Sequence, residues 1–462
     1  MKITSKQFQQ TAKSTIESPR LQAAYQSGME HMTTGRAEVY AQIPDVYQLR
    51  DELKEVRSAT IKNLAAVLEE FERNTQLAGA VVHWAKNGTD VGRIVLEIAQ
   101  RERAKRIVKS KSMVTEEIGL NHVLEDAGIE VVETDLGEYI IQLAGERPSH
   151  IIAPAVHQTT QQVADLFTKH LKQKVEGNPE ALTEVARETL RRMFLEAEIG
   201  ISGVNLGVAE TGSIVLVTNE GNGRMVTSLP RVHVAVMGIE RVAPNWDAAA
   251  TWLSLLASSA TGQPLSIYTS VVTGPMKPDE LDGPEEVHII LLDNNRASLC
   301  GTKYQEVLEC IRCGACLSVC PVYKQSGGHA YHSPYSGPIG AVISPLLFGL
   351  ENYPGLPHAS TLCGACLEVC PVKIDLPRML VALRTDEVEQ GLSAWPEVVA
   401  ERLSANMMTK PGRMNFLFKL GRLGQLLMRL FSLRIRGFEN VPLIAGKSFH
   451  DLWPKLENGD DR

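Results

Sequence analysis

At 462 residues the chain is long enough for roughly three domains of about 150 residues each. Hydrophobic residues at 44% and charged residues at 22% exclude a disordered or fibrous chain. Forty-seven Lys and Arg against 54 Asp and Glu leave a net charge of −7, so no basic field recruits nucleic acid and no such partner is expected.

In chain order, residues 1–75 are predicted to form a helical arm, with Leu64, Val67, Leu68 and Phe71 three and four apart among charges. Residues 76–293 alternate short β-rich runs with helical patterns such as Gly92 to Arg103 and Met113 to Ala127. The expected strands are Ala80 to Trp84, Arg106 to Val108, Ile129 to Thr134, His150 to Pro154, Ser213 to Thr218, His233 to Ile239 and Val287 to Leu292. That alternation predicts an α/β layer domain with parallel strands. Gly200 to Gly223 is dense in glycine, which reads either as tight turns or as backbone close to a ligand. It carries no G-x-G-x-x-G between a strand and a helix, and Gly446-Lys447-Ser448 has Val441 where a phosphate-binding loop needs glycine. The uncharged run from Ala248 to Met276 is broken by Ser, Thr, Gly and Pro, and reads as helix, loop and strand rather than a membrane span.

Residues 294–390 turn rich in Cys, Gly, Pro and Tyr and mark a second domain, followed by a C-terminal extension at 391–462. From Arg402 to Arg436 this extension has eight Lys and Arg and no acid. Phe416, Leu420, Leu423, Leu427, Leu430 and Phe431 form a helical stripe beside Lys419, Arg422 and Arg429, suited to an anionic membrane surface, a partner, or the protein's own domain. The N-terminus, MKITSKQFQQ, has no apolar secretory segment, and a cytoplasmic, reducing location is expected.

All eight cysteines lie between Cys300 and Cys370, a crowding that suggests cluster or metal ligation rather than disulfides. Cys310-Ile-Arg-Cys313-Gly-Ala-Cys316-Leu-Ser-Val-Cys320-Pro321 is a full C-x2-C-x2-C-x3-C-P motif. Thiolates two residues apart let one turn of chain wrap an iron–sulfur cubane, and the fourth cysteine of such a motif serves the other cluster. Ser360-Thr-Leu-Cys363-Gly-Ala-Cys366-Leu-Glu-Val-Cys370-Pro371 repeats it with serine first. Crossed ligation gives Cys310, Cys313, Cys316 and Cys370 to cluster one, and Cys320, Cys363 and Cys366 to cluster two. The fourth position of cluster two is open to Ser360, Cys300, another oxygen donor, water, or nothing, the last giving a three-iron form. Paired C-x2-C also suits zinc, but the third close cysteine and the C-P ending favour iron–sulfur. Cys300 otherwise reads as a small buried hydrophobe. His329 and His332 either tune cluster sulfurs or shape the 42-residue loop between Cys320 and Cys363. No hydrolase motif is present, and no catalytic residue is assigned.

Gly203-Val-Asn-Leu-Gly-Val-Ala-Glu-Thr-Gly-Ser, Gly327-Gly-His-Ala-Tyr, Gly337-Pro-Ile-Gly-Ala and Leu362-Cys-Gly-Ala-Cys-Leu-Glu-Val-Cys-Pro-Val-Lys-Ile, with the first cysteine motif, resemble the lactate utilization protein B family nearly end to end. The resemblance implies a lactate-utilization domain similar to the sugar-phosphate isomerase and CoA-transferase α/β fold, an α-helical ferredoxin domain and a C-terminal extension. It also implies two [4Fe-4S] clusters, on the same seven cysteines, serving oxidation of L-lactate to pyruvate with partner proteins A and C. The leading expectation is an oxidoreductase subunit that relays electrons from lactate. The alternatives are a CoA- or sugar-phosphate-handling enzyme with Glu210 as nucleophile and redox-sensing clusters, and a scaffold joining the two partners.

Overall fold

The computed structural model describes residues 5–150, 153–172, 174–430, 442–449 and 451–453. The chain divides into two compact units, Met1–Asp386 and Glu387–Arg462.

The first unit is built on ten strands: β1 Val81–Ala85, β2 Arg106–Lys109, β3 Glu130–Glu133, β4 Ile199–Gly203, β5 Leu206–Val208, β6 Ser213–Thr218, β7 Val232–Gly238, β8 Val242–Ala243, β9 Tyr268–Val272 and β10 Glu286–Leu292. Six of them form a parallel sheet in the order β1-β10-β7-β4-β2-β3. Helices must carry the chain back between parallel neighbours, and Gly88–Glu102 and Leu120–Asp126 do so after β1 and β2. Val91, Ile94, Val95 and Ile98 of the first crossover cover one face with Ile107, Ile201 and Val234 beneath them. Phe167, Leu190 and Phe194 cover the other face over Val108 and Val132. With both faces covered, β7 is buried at all seven positions, as its apolar sequence requires.

Six of the seven expected strands form within one or two residues of their predicted bounds. The seventh does not: His150 and Pro154 are outside any strand, and 151–152 lie outside the described residues. The expected helix from Met113 to Ala127 is broken into Met113–Glu117 and Leu120–Asp126 by Gly119 at φ +64°. The expected parallel arrangement holds for one sheet only. A second sheet, β8-β5-β6-β9, pairs β6 antiparallel to both neighbours.

The arm comprises four helices, Ser5–Ile16, Pro19–Tyr40, Val46–Lys62 and Leu64–Leu77. They share one apolar core with the second sheet and the cysteine-rich segment, from Met29 and Leu53 through Met237 and Trp252 to Leu317, Ile339 and Leu380. The described elements of the cysteine-rich segment are helices joined by loops, among them Ala315–Val319, Pro321–Ser326, Gly337–Phe348 and Ala365–Val369.

In the second unit, Pro411–Leu430 is a helix, and Phe416, Leu420, Leu423 and Leu427 of the expected stripe are exposed; Phe431 lies outside the described residues. Among the described residues no helix is long and apolar enough to cross a membrane.

At the edge of the parallel sheet Lys109 and Glu133 form a buried ion pair at 2.7 Å, with side chains 1% and 6% exposed. Glu138 lies beside it, its Oε1 accepting no hydrogen bond and standing 4.0 Å from Lys111 Nζ, and burial and the charge of Glu116 push its pKa up to about 9. An acid held neutral in the fold resists the ionisation that the unfolded chain undergoes from its ordinary value of 4.5. Its contribution therefore turns unfavourable as pH rises from there toward 9. Glu138→Gln is expected to stabilise the protein by about 1–3 kcal/mol at pH 8 and by almost nothing at pH 4.5, measured by urea unfolding at both pH values. Equal effects at the two would remove the carboxyl as the cause.

Candidate iron–sulfur site and the adjoining cavity

The two cysteine motifs adopt one backbone conformation. Arg312 and Leu362 take left-handed φ of 60° and 56°, and Gly314 and Gly364 follow at 75° and 84°. Ala315–Val319 and Ala365–Val369 are then matching five-residue helices, packed against each other. Left-handed φ at Arg and Leu is strained, and it turns the backbone so that its N–H faces the preceding side chain. The Arg312 N–H donates to Cys310 Sγ at 3.4 Å, and the Leu362 N–H to Ser360 Oγ at 3.1 Å. After the first helix Pro321 opens the next one, whose Tyr323 N–H donates to Cys320 Sγ at 3.4 Å.

The fold sorts the predicted cysteines into two groups. Cys310, Cys313, Cys316 and Cys370 line one cavity, closed by Ile339 and Leu376. Burial, then the neighbouring Cys370, pushes the Cys313 thiol up to about 12, and burial pushes Cys370 up to about 11. Cys320, Cys363 and Cys366 are neighbours in the second group, where burial, then Cys320 and Cys363, raises Cys366 to about 12. Cys363 is exposed, and N–H donation from Ala365 lowers its pKa. Cys300 is half-buried, with its thiol raised by burial and Asp293.

This donor set fits a cationic inorganic core. Crowded, buried thiols stay neutral by themselves near pH 7, whereas bound metal converts them to thiolates outright. Four thiolates on one zinc would have to meet at Zn–S distances of about 2.3 Å. Among the described residues no three His, Cys, Asp or Glu are placed to hold a single ion.

Four arginines from outside the cysteine segment hold its loops by their carbonyls. Arg36 donates to Val369 O at 2.8 Å, and Arg50 to Glu368 O at 2.6 Å and Cys370 O at 2.8 Å. Arg57 reaches Leu308 O at 2.8 Å, and Arg241 reaches Cys310 O at 3.0 Å. The two histidines serve the loop: His329 Nε2 pairs with Arg147 O at 2.7 Å, and His332 Nε2 with Thr11 Oγ1 at 2.9 Å.

A larger cavity of about 310 Å³ opens beside the first cysteine group, at the carboxyl ends of β2, β4 and β7, and Arg312 lines both. Glu210 does not line it; its carboxylate instead accepts the Trp246 N–H at 3.1 Å, near the start of the helix Trp246–Ala260. Most glycines of the 200–223 segment serve packing. A Cβ on Gly200 would sit 1.9 Å from Val226 O, and Gly212, at φ +66°, lies against the backbone of Asn74 and Thr75. Gly203, at the end of β4, borders the cavity.

Arg312, Tyr335 and the cavity were not foreseen from the sequence. The arginine inside the first motif was the visible signal, but its partners Glu240 and Tyr335 lie 72 residues before it and 23 after it, too far apart to form a local pattern.

Residues 68–292 match the family described as LUD domain, and residues 306–374 the 4Fe-4S dicluster domain. The lactate utilization protein B of Bacillus subtilis is 44% identical over 422 residues, covering 91% of this chain and 88% of that one. That of Bacillus velezensis is 43% identical with the same coverage. The uncharacterized electron transport protein YkgF of Escherichia coli is 42% identical over 421 residues, again 91% of this chain and 88% of that protein.

Proposed function

Because the chain belongs to the lactate utilization protein B family, we propose that it is the electron-transfer subunit of an assembly that oxidises L-lactate to pyruvate with lactate utilization proteins A and C. In this reading Cys310, Cys313, Cys316 and Cys370 hold one [4Fe-4S] cluster and Cys320, Cys363 and Cys366 hold a second. What carries it is the crossing of the two motifs: Cys370 keeps company with the first three cysteines, and Cys320 with the second pair. Ser360 is the fourth donor of the second cluster, because its hydroxyl takes from Leu362 the N–H that Cys310 takes from Arg312, on the same backbone turn. Such clusters supply one-electron storage, and lactate gives up two electrons and two protons, one electron for each. The protein's own part is to keep the first group free of any exposed cysteine and to leave the second open to a partner at Cys363.

Anaerobically purified chain should carry about eight irons and about eight sulfides. Its electron paramagnetic resonance (EPR) signals should become reducible by L-lactate once proteins A and C are added. Stoichiometric zinc without sulfide, or clusters indifferent to lactate in the full assembly, overturns the proposal. Ser360→Cys should keep about eight irons and change the second cluster's signal, whereas Ser360→Ala should fall to about seven with a three-iron signature. An unaltered Ser360→Ala spectrum removes Ser360 from the donor set.

A further inference from the structure

The cavity at the carboxyl ends of β2, β4 and β7 stands where open α/β sheets receive ligands, and at about 310 Å³ it has the size of a small-molecule site. Its wall next to the first cysteine group carries three guanidinium groups, Arg241, Arg296 and Arg312. Two buried carboxylates face them. Glu117 holds Arg296 at 2.7 Å, and Glu240 lies 2.7 Å from Arg296 but 3.5 Å from Arg312. Arg241 donates to the carbonyls of Cys310 and Asn205 and stands 4.9 Å from the Trp252 ring. Lys111, Asp135 and Glu220 also line the cavity, so its ionisable groups are mixed in sign, and the guanidinium groups gather on this wall. Arg312 Nη1 has no partner and is screened from solvent, while the guanidinium is held 4.5 Å above the Tyr335 ring. A buried donor of this kind is costly unless something accepts from it. A second unmet group lies on the same cavity: Asn222 is 5% exposed and its Oδ1 has no partner. Leu256, Ala257 and Ala260, from one face of the helix Trp246–Ala260, add an apolar strip to the lining.

We propose that this cavity binds a small organic anion, with its carboxylate or phosphate oxygens on Arg312, its body along the Leu256–Ala260 strip, and a hydroxyl or N–H group donating to Asn222. Arg312 lies between Cys310 and Cys313, and its own N–H donates to Cys310 Sγ at 3.4 Å. An anion on its guanidinium therefore changes the field at the first cysteine group, and occupancy is felt there. The binding stands on the cavity alone; the coupling rests on the cluster assignment proposed above.

Calorimetry on the full, anaerobically loaded chain with L-lactate, pyruvate, inorganic phosphate and flavin mononucleotide separates the carboxylate source from the phosphate source. At least one probe should bind, with Arg312→Gln weakening it about tenfold or more and Leu256→Trp, which fills the strip, abolishing it. Asn222→Ala should weaken the hydroxylated probes only, and Glu210→Ala, outside the cavity, should leave every probe unchanged. Saturation with the binding probe should shift the EPR signal of the first cluster in the wild-type chain and not in Arg312→Gln. No binding of any probe at about 10 mM, or full binding to both Arg312→Gln and Leu256→Trp, overturns the site. Binding without a spectral shift overturns the coupling alone. A chain that lacks iron sinks the cluster assignment, while calorimetry on it still decides the binding.

Discussion

Cys313→Ala is expected to lower the iron of the anaerobic protein from about eight per chain, to about seven where the three remaining thiolates keep a three-iron core and to about four where that core is lost, and to abolish its reduction by lactate in the presence of proteins A and C. Cys313 is buried in the cavity it shares with Cys310, Cys316 and Cys370. Three thiolates then remain around the first core, held apart by loops that the arginine contacts fix. Cys300→Ala is the matched control: the thiol is half-buried outside both groups, and iron and sulfide should be unchanged. Iron and sulfide assays with EPR check both variants, and a full complement in Cys313→Ala defeats the assignment.

Arg57→Ala is expected to lower stability by about 3–5 kcal/mol, read as a fall in the urea midpoint, and to cost the protein its first cluster as well. Arg57 is fully buried and donates to Val242 O at 2.9 Å, Glu240 O at 2.8 Å, Leu308 O at 2.8 Å and Glu309 O at 3.3 Å. Its guanidinium also stacks 4.3 Å from the Trp252 ring. Burial and the neighbouring Arg241 lower its pKa to about 9, which still leaves it charged at neutral pH. Alanine would leave those carbonyls buried without a donor and open a void under Trp252. Arg57→Lys keeps the charge but cannot bridge carbonyls on two segments, so it should recover only part of the loss. A variant of wild-type stability would mean that water replaces the guanidinium without cost.

The cysteine spacing and the long apolar strands were legible because each is a local pattern. β7 and β10, buried on both faces, read as near-continuous apolar runs. β4 was not legible. Its Gly200 must be bare because Val226 O presses against it, and the glycine needed for close packing looks in sequence like a turn. The second sheet escaped for a related reason: β5 and β8 are three and two residues long, too short for any periodicity. In the arm, Arg50 and Arg57 look like solvent-facing helix charges. They are buried because their acceptors lie 318 and 252 residues further along, a pairing that no window of sequence contains. The same distance hides the cavity, which draws on residues from Ser110 to Tyr335.

Those long-range grips also order events during synthesis. Helices Pro19–Tyr40 and Val46–Lys62 leave the ribosome early, but the carbonyls awaiting Arg36 and Arg50 belong to residues 368–370. Until that stretch emerges, Arg36 and Arg50 lack these acceptors, although Arg57 can already meet the carbonyls of Glu240 and Val242. Arg36 and Arg50 are therefore among the first residues made and among the last to find their acceptors.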